Sequence, residues 1–168
     1  MSPFVAVLII VGFFALVIVI QTTKNNQLKQ SGAIIDRQSG FERDRETYTM
    51  KNADWDTVKS KLSAQDYTDT DLQKLKWIPD ENLIGLIGGG NGYSWVGVME
   101  FKGIAAGKCI WTFEFKRYTA DNDHGKSLEW SMNAIKTKVE KMLLTIDPDT
   151  LVETERKVMK HTTKTKFF

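Results

Sequence analysis

The chain contains a continuous apolar run, FVAVLIIVGFFALVIVI, over residues 4–20, and no charged residue precedes Lys24. With Pro3 the run has 18 residues, which as a helix span about 27 Å. This length is close to the bilayer hydrocarbon core, which is about 30 Å thick. Pro3 falls in the first turn, where its missing N–H needs no partner. The run therefore predicts a single-pass transmembrane anchor over residues 1–23.

Two other interpretations of the run fit the sequence less well. A cleaved signal peptide carries basic residues before its apolar segment and a small-residue cleavage site close behind it. Here no Lys or Arg precedes the run, and the nearest such site is Ser31-Gly32-Ala33. A buried core helix usually keeps a polar stripe, and residues 4–20 have none. A membrane anchor is therefore favoured.

The flanking charges predict the orientation of the anchor. Lys24, Lys29 and Arg37 follow the run, whereas only the α-amino group precedes it. Because positive flanks stay on the cytoplasmic side, the rest of the chain is expected to face the cytoplasm. The net charge of +2 gives no strong field for nucleic acid. Cys109 is the only cysteine, so an internal disulfide is excluded.

Composition divides the 168-residue chain into four parts. After the anchor, a polar segment broken by Gly32 and Gly40 predicts a linker over residues 24–44. Residues 45–163 are predicted to form one soluble domain, which is long enough for a proper core. Residues 164–168 form a basic C-terminal tail.

The first part of this domain is predicted to contain one strand and one helix. The alternation of ETYTMK at 46–51 predicts a strand. Asn52 is a good N-cap for a helix over residues 53–65, whose inward face would be Trp55, Val58 and Leu62. Asp71 is expected to cap a short helical turn through Leu72 and Leu75, which Pro79 ends.

The central part of the domain is predicted to be three strands, at 83–87, 93–103 and 108–119, with a glycine loop at 88–92. Aromatic residues recur at alternate positions, so they share one sheet face. A three-residue turn at 105–107 keeps the aromatic faces of the last two strands on the same side. The resulting register pairs Phe101 with Trp111, Met99 with Phe113 and Gly97 with Phe115, and the glycine loop places Gly85 opposite Trp95.

A long amphipathic helix is predicted over residues 127–146. Its apolar residues recur every three or four positions, which is typical of one buried helix face: Leu128, Met132, Ile135, Val139, Met142 and Ile146. Asp147 and Pro148 are expected to restart a last helix that runs to about His161. The fold class is therefore α+β, with a small antiparallel sheet of three to five strands covered by the long helix.

Each motif that resembles a functional site has a simpler structural explanation. The GGGNG segment at 88–92 lacks the following helix that phosphate loops need. The DNDHG segment at 121–125 does not match a calcium loop at its fifth, sixth and twelfth positions. Cys109 lies on the aromatic face and is expected to be buried. His124 and His161 belong to different elements, so they do not form a zinc pair.

The carboxylate pairs are explained as helix caps and turn formers: Asp69 with Asp71, and Asp80 with Glu81. No residue is therefore assigned a catalytic, cofactor-binding or metal-binding role.

The sequence favours a membrane-anchored, non-catalytic protein-interaction or scaffold module with an unidentified protein partner. The alternative is a domain that binds an apolar ligand or lipid between the sheet and the long helix. An enzyme that uses loop carboxylates is a third hypothesis. The basic residues from Arg156 to Lys166 and the terminal Phe pair would let the C-terminal tail contact anionic lipid. A frayed, solvated tail is the competing interpretation.

Overall fold

The computed structural model describes residues 35 and 37–156. The predicted anchor, most of the predicted linker and the C-terminal tail lie outside the described residues. Among the residues that the structure describes, no helix has the length and apolar character needed to cross a membrane. The unit that contains the sheet begins at Arg37. Phe41, in a short 3-10 turn before the first strand, is buried in the core.

The described chain forms a six-stranded antiparallel sheet with two helices, which confirms the α+β class but exceeds the predicted three to five strands. The strand order in space is β2-β3-β4-β5-β1-β6. The elements in chain order are β1 (Asp44–Met50), α1 (Trp55–Ser63), β2 (Leu72–Ile78), β3 (Leu83–Gly90), β4 (Tyr93–Ala105), β5 (Lys108–Ala120), α2 (Gly125–Ile146) and β6 (Leu151–Arg156).

The core lies between the aromatic sheet face and the two helices. Five of the six predicted apolar positions of α2 are buried, and Ile146 packs against the same core at its edge. On α1, Val58 and Leu62 are buried, and Trp55 stacks on Trp111 with ring centroids 5.8 Å apart. The Trp111 indole donates to the Ala53 carbonyl at 2.6 Å. Cys109 is a buried free thiol, as expected.

The predicted register between β4 and β5 is confirmed, although the turn between them differs. Phe101 pairs with Trp111, and Met99 and Gly97 face their predicted partners. The turn contains two residues, Ala106 and Gly107, and Lys102 bulges out of the ladder between Phe101 and Gly103. A two-residue turn alone would have moved the aromatic side chains to opposite faces. The one-residue bulge restores the shared face.

The predicted glycine loop is mostly strand. β3 continues to Gly90, and only Asn91 and Gly92 form the turn, a pair that tight hairpin turns favour. As a result, Gly88 rather than Gly85 lies opposite Trp95. A Cβ on Gly88 would lie 2.2 Å from Trp95 Cζ2. The glycine at this position therefore makes room for a fully buried indole ring.

Two predicted helical segments are strands. Residues 72–78 form β2, which pairs with β3, so the predicted helical turn after Asp71 is wrong. Residues 151–156 form β6, which pairs with β1, so the predicted last helix is also wrong over these residues. Its predicted end near His161 lies outside the described residues. The Asp147 carboxylate accepts the backbone N–H groups of Lys51 at 2.6 Å and Asp149 at 3.0 Å. These bonds hold a turn that directs the chain back to the sheet.

The first helix starts two residues later than predicted. Asp54 is its N-cap and accepts the Thr57 N–H at 2.9 Å. Asn52, the predicted cap, has a left-handed backbone with φ of 53° instead. A short polar side chain tolerates that conformation, so Asn52 serves the turn before the helix.

Candidate functional site

A group of charged and polar side chains is buried between β1 and α2. Alternation along β1 directs Glu46 and Tyr48 to the side covered by α2. Lys136 of α2 lies 3.0 Å from Glu46 Oε1, and its side chain is 1% exposed. The Tyr48 hydroxyl donates to Glu46 Oε2 at 2.5 Å. The Glu46 carboxylate therefore has a buried partner on each oxygen.

Arg37, the first residue of the unit that contains the sheet, completes this group. Its guanidinium donates to Glu46 Oε1 at 2.9 Å, to Asn133 Oδ1 at 3.2 Å and to Glu140 Oε2. Charged hydrogen bonds of this kind are stronger than neutral ones. Arg37 thus fastens the segment before β1 to both β1 and α2. We call Arg37, Glu46, Tyr48, Lys136 and Glu140 the buried cluster.

Burial shifts the protonation of two members of the buried cluster. It lowers the pKa of Lys136, and the neighbouring Glu46 carboxylate opposes that shift. Burial also raises the pKa of Tyr48 well above its ordinary value, with a further contribution from the charge of Glu46. The Tyr48 phenol therefore stays neutral at physiological pH. Tyr48, Glu46 and Lys136 are covered, and their contacts join β1 to α2.

A small pocket lies against Phe41, which also contacts Lys136. The Lys136 ammonium is 3.4 Å from the Phe41 carbonyl oxygen and 5.8 Å from the centre of its ring. The pocket has a volume of about 200 Å³. We call it the entry pocket, because it lies where the chain enters the domain. Its side-chain lining consists of Phe41, Tyr118, Leu128 and Met132 with Glu42 and Glu129, and Ser39, Gly40 and Gly125 complete it.

The size of the entry pocket limits what it can hold. Sites for small-molecule ligands usually enclose about 300–1,000 Å³, which exceeds the 200 Å³ found here. The space between the sheet and α2 is filled by side chains, among which Trp95, Met99 and Trp111 have no exposed surface. The Trp95 indole donates to Ser131 Oγ at 2.8 Å, which joins the sheet to α2.

The motifs that the sequence singled out do not converge. Gly88, Gly89 and Gly90 belong to a strand, and Cys109 is buried in the core. His124 precedes α2, and its Nδ1 is buried without a partner in the described part of the chain. His161 lies outside the described residues. Within the described ranges, no group of three or more His, Cys, Asp or Glu side chains could hold a metal ion.

The predicted carboxylate pairs are separated by their contacts. Asp69 lies 2.6 Å from the Lys138 ammonium. Asp71 accepts the Tyr93 hydroxyl at 2.7 Å, and burial together with this hydrogen bond raises the pKa of Tyr93 to about 12. Asp80 and Glu81 lie in the 3-10 turn Pro79–Glu81. The two pairs therefore form no common site.

The buried cluster was missed by the sequence analysis, although one signal for it was present. Period-two alternation places Glu46 on the same side as Tyr48 and Met50, and an acid on an apolar strand face needs a buried partner. Its partners come from residues 37, 136 and 140, which only the folded chain brings together.

Comparison of the chain with protein-family models, with curated proteins and with solved structures finds no match.

Proposed function

We propose that the protein is a single-pass membrane-anchored module whose cytoplasmic domain binds a protein partner without catalysis. The observation that carries this proposal is the closeness of the points where the chain enters and leaves the described domain. Asp44 pairs with Arg156, whose Nε donates to Asp44 Oδ1 at 3.0 Å. Arg156 Nη2 is also 3.4 Å from the Ser39 carbonyl oxygen. Ser39 and Asp44, near the start of the described domain, and Arg156, at its end, are therefore close together.

This arrangement suits a domain tethered near a bilayer. Residues 21–36 connect the apolar run to Arg37 and can extend to at most about 55 Å. Residues 157–168 contain four lysines and no Asp or Glu. Each basic group near an anionic surface adds on the order of 1 kcal/mol of attraction. We infer that the basic segment contacts anionic headgroups beside the anchor.

A binding role is supported over catalysis by the position of the charged groups. Glu46, Tyr48 and Lys136 are covered by the fold, so a substrate cannot reach them. The entry pocket is open but too small for most small-molecule ligands. The features that remain accessible on the described domain are surfaces for a larger partner.

The membrane part of the proposal is tested on membranes that carry the full-length protein. Intact chain should stay in the pellet after washing with alkaline carbonate, and deletion of residues 1–23 should release it. Alkaline phosphatase fused after Phe168 should be inactive, because that enzyme needs an oxidising compartment to form its disulfides. Release of the intact full-length chain, or active phosphatase, would contradict the proposal.

The contribution of the basic segment is tested with vesicles. The chain without residues 1–23 should bind vesicles rich in phosphatidylserine and should not bind phosphatidylcholine vesicles. Replacing the four lysines after Arg156 by Gln should abolish that binding, because the attraction is electrostatic. Equal binding to both kinds of vesicle would show that charge does not direct it.

The interaction part of the proposal is tested by affinity purification from detergent-solubilised membranes. A partner should co-purify with the full-length chain and not with a control in which an unrelated domain replaces residues 37–156. Identical co-purifying proteins in both samples would leave the domain without a binding role.

A further inference from the structure

The entry pocket combines an apolar floor with acidic edges. Phe41, Leu128 and Met132 are buried and form its floor. Glu42 and Glu129 are the charged residues of its lining, which includes no Lys, Arg or His. A depression of this kind attracts a group that is apolar along its length and positively charged at its end.

The two carboxylates keep most of their negative charge available. Glu129 is exposed, and within the described part of the chain it forms no ion pair. Glu42 lies 3.8 Å from Arg43 Nε, a long contact to a side chain that is half exposed. Exposed pairs of this type contribute little. The charge of Glu42 also helps to raise the pKa of Arg156. The Arg43 and Arg156 side chains are both about half exposed, so a cation entering the pocket would compete only with weak interactions at Glu42.

We propose that the entry pocket binds a Lys or Arg side chain presented by the protein partner. A volume of about 200 Å³ suits one long side chain. Its methylene stem would lie over Leu128 and Met132, and its charged head would meet Glu42 and Glu129. The ring of Tyr118 adds attraction for a cation, whereas the Phe41 ring already faces the Lys136 ammonium. This inference rests on the proposed protein-binding function and specifies the chemistry of the partner.

The test uses n-butylguanidinium as a probe for the Arg side chain and n-butylurea as its neutral match. The full-length protein is labelled with ¹³C at its methionine methyl groups and held in neutral detergent micelles. The Met132 methyl resonance should shift with n-butylguanidinium and saturate in the millimolar range expected for so small a ligand. Binding of n-butylurea should be weaker by about tenfold, because it lacks the charge.

Variants show whether Glu42 and Glu129 contribute to the binding of n-butylguanidinium. The double variant Glu42→Gln/Glu129→Gln should weaken n-butylguanidinium by about tenfold and leave n-butylurea unchanged. The matched control Glu81→Gln removes an acid from the distant turn Pro79–Glu81 and should change neither. No saturable shift at Met132, or equal affinity for the two probes, would overturn the assignment.

A further experiment asks whether the entry pocket is occupied by a side chain of the partner or by the chain's own basic segment, residues 157–168. If the variant with the four lysines after Arg156 changed to Gln binds n-butylguanidinium more tightly, that segment is the occupant and the partner assignment is overturned. Unchanged affinity supports the partner. Membrane attachment is measured separately by carbonate washing, so failure of the pocket and failure of the anchor give different results.

Discussion

Glu46 lies at the centre of the buried cluster. Its two carboxylate oxygens meet three donors: Arg37 Nη1 at 2.9 Å, Lys136 Nζ at 3.0 Å and the Tyr48 hydroxyl at 2.5 Å. The two cations have different alternatives. Arg37 also contacts Glu140, whereas Lys136 otherwise meets the Phe41 carbonyl oxygen at 3.4 Å. Loss of the Glu46 carboxylate therefore removes more of the stabilising contacts of Lys136 than of Arg37.

Because Arg37 and Lys136 differ in their other contacts, two substitutions that nearly preserve side-chain volume should lower the free energy of unfolding by different amounts. Glu46→Gln leaves Lys136 buried without a carboxylate in contact, since only the weaker influence of the Asp44 charge remains. We expect the free energy of unfolding to fall by about 3 kcal/mol. Lys136→Met leaves Glu46 bound to Arg37 and Tyr48, and the loss should be about 1 kcal/mol. Urea unfolding of both variants measures the difference. Equal losses would mean that Lys136 does not depend on Glu46 for a neutralising charge.

The free energy of unfolding of the Glu46→Gln variant should depend on pH. Without the acid, the folded-state pKa of Lys136 falls further below its unfolded value of about 10.4. The folded protein then binds fewer protons than the unfolded chain, so stability rises with pH. The deficit relative to the unmodified protein should therefore shrink as pH rises toward the unfolded-state pKa of about 10.4. Above about pH 10, the raised pKa of Tyr48 lowers stability in both proteins, since only the unfolded phenol ionises.

At the scale of the element, β3 is shaped by one close approach. A Cβ on Gly88 would lie 2.2 Å from Trp95 Cζ2 and 2.7 Å from the Asp71 carbonyl oxygen. The buried Trp95 indole and the Asp71 backbone cannot easily move away from an added Cβ. At Gly85, three residues earlier, the nearest atom is Lys76 Cβ at 3.6 Å, which is ordinary contact.

The two glycines therefore predict opposite outcomes within one strand. Gly88→Ala should lower the free energy of unfolding by about 3 kcal/mol through overpacking. Gly85→Ala should be neutral or stabilising by up to about 1 kcal/mol, because it restricts the unfolded chain. Thermal unfolding of the two variants measures both effects. A tolerated Gly88→Ala would show that Trp95 can move, and that the β3–β4 register is less constrained than described.

The central strands could be predicted from the sequence because their signals are local. Alternating aromatic residues determine the faces of β4 and β5, and a shared face leaves few registers. The edge strands could not be predicted in the same way. Leu72 and Leu75 have helix-like spacing. Within β6, the acids Glu153 and Glu155 precede Arg156, which is the charge order of a helix. Both become strands by pairing with β3 and β1, which no local pattern reports.

The proposed sites were hidden from the sequence for a related reason. The buried cluster joins residues up to 103 positions apart, and the entry pocket combines a turn before β1, the end of β5 and the start of α2. Lys136 lies one position after the buried Ile135 on α2 and is not one of the predicted apolar positions of that helix. The long Lys stem crosses that small offset and reaches Glu46.

At the scale of the whole molecule, the first strand of the sheet lies between two strands from the second half of the domain. β1 pairs with β5 on one side and β6 on the other, so both ends of the domain must be present to complete the sheet. Residues 37–43 add to this closure, because Phe41 is 3% exposed and Arg37 reaches α2. Long-range pairing of this kind is typical of slowly folding domains.

The start of the folded domain can be tested by truncation. A chain of residues 35–156 should unfold cooperatively, since it keeps Arg37 and Phe41. A chain of residues 45–156 loses both, and its free energy of unfolding should fall by at least about 3 kcal/mol, the usual cost of removing a buried Phe. Phe41→Ala in the full-length protein is the matched control and should show a similar loss. Equal stability of the two shortened chains would place the start of the domain after Asp44.

The burial of Cys109 has a practical consequence. It is the chain's only sulfhydryl, and it lies on β5 beneath the helices, 6% exposed. A coloured disulfide reagent can react with it only when this region opens, so the speed of colour development reports how often the sheet opens under native conditions. An engineered surface cysteine would react far sooner, which permits dye attachment without first removing the natural one.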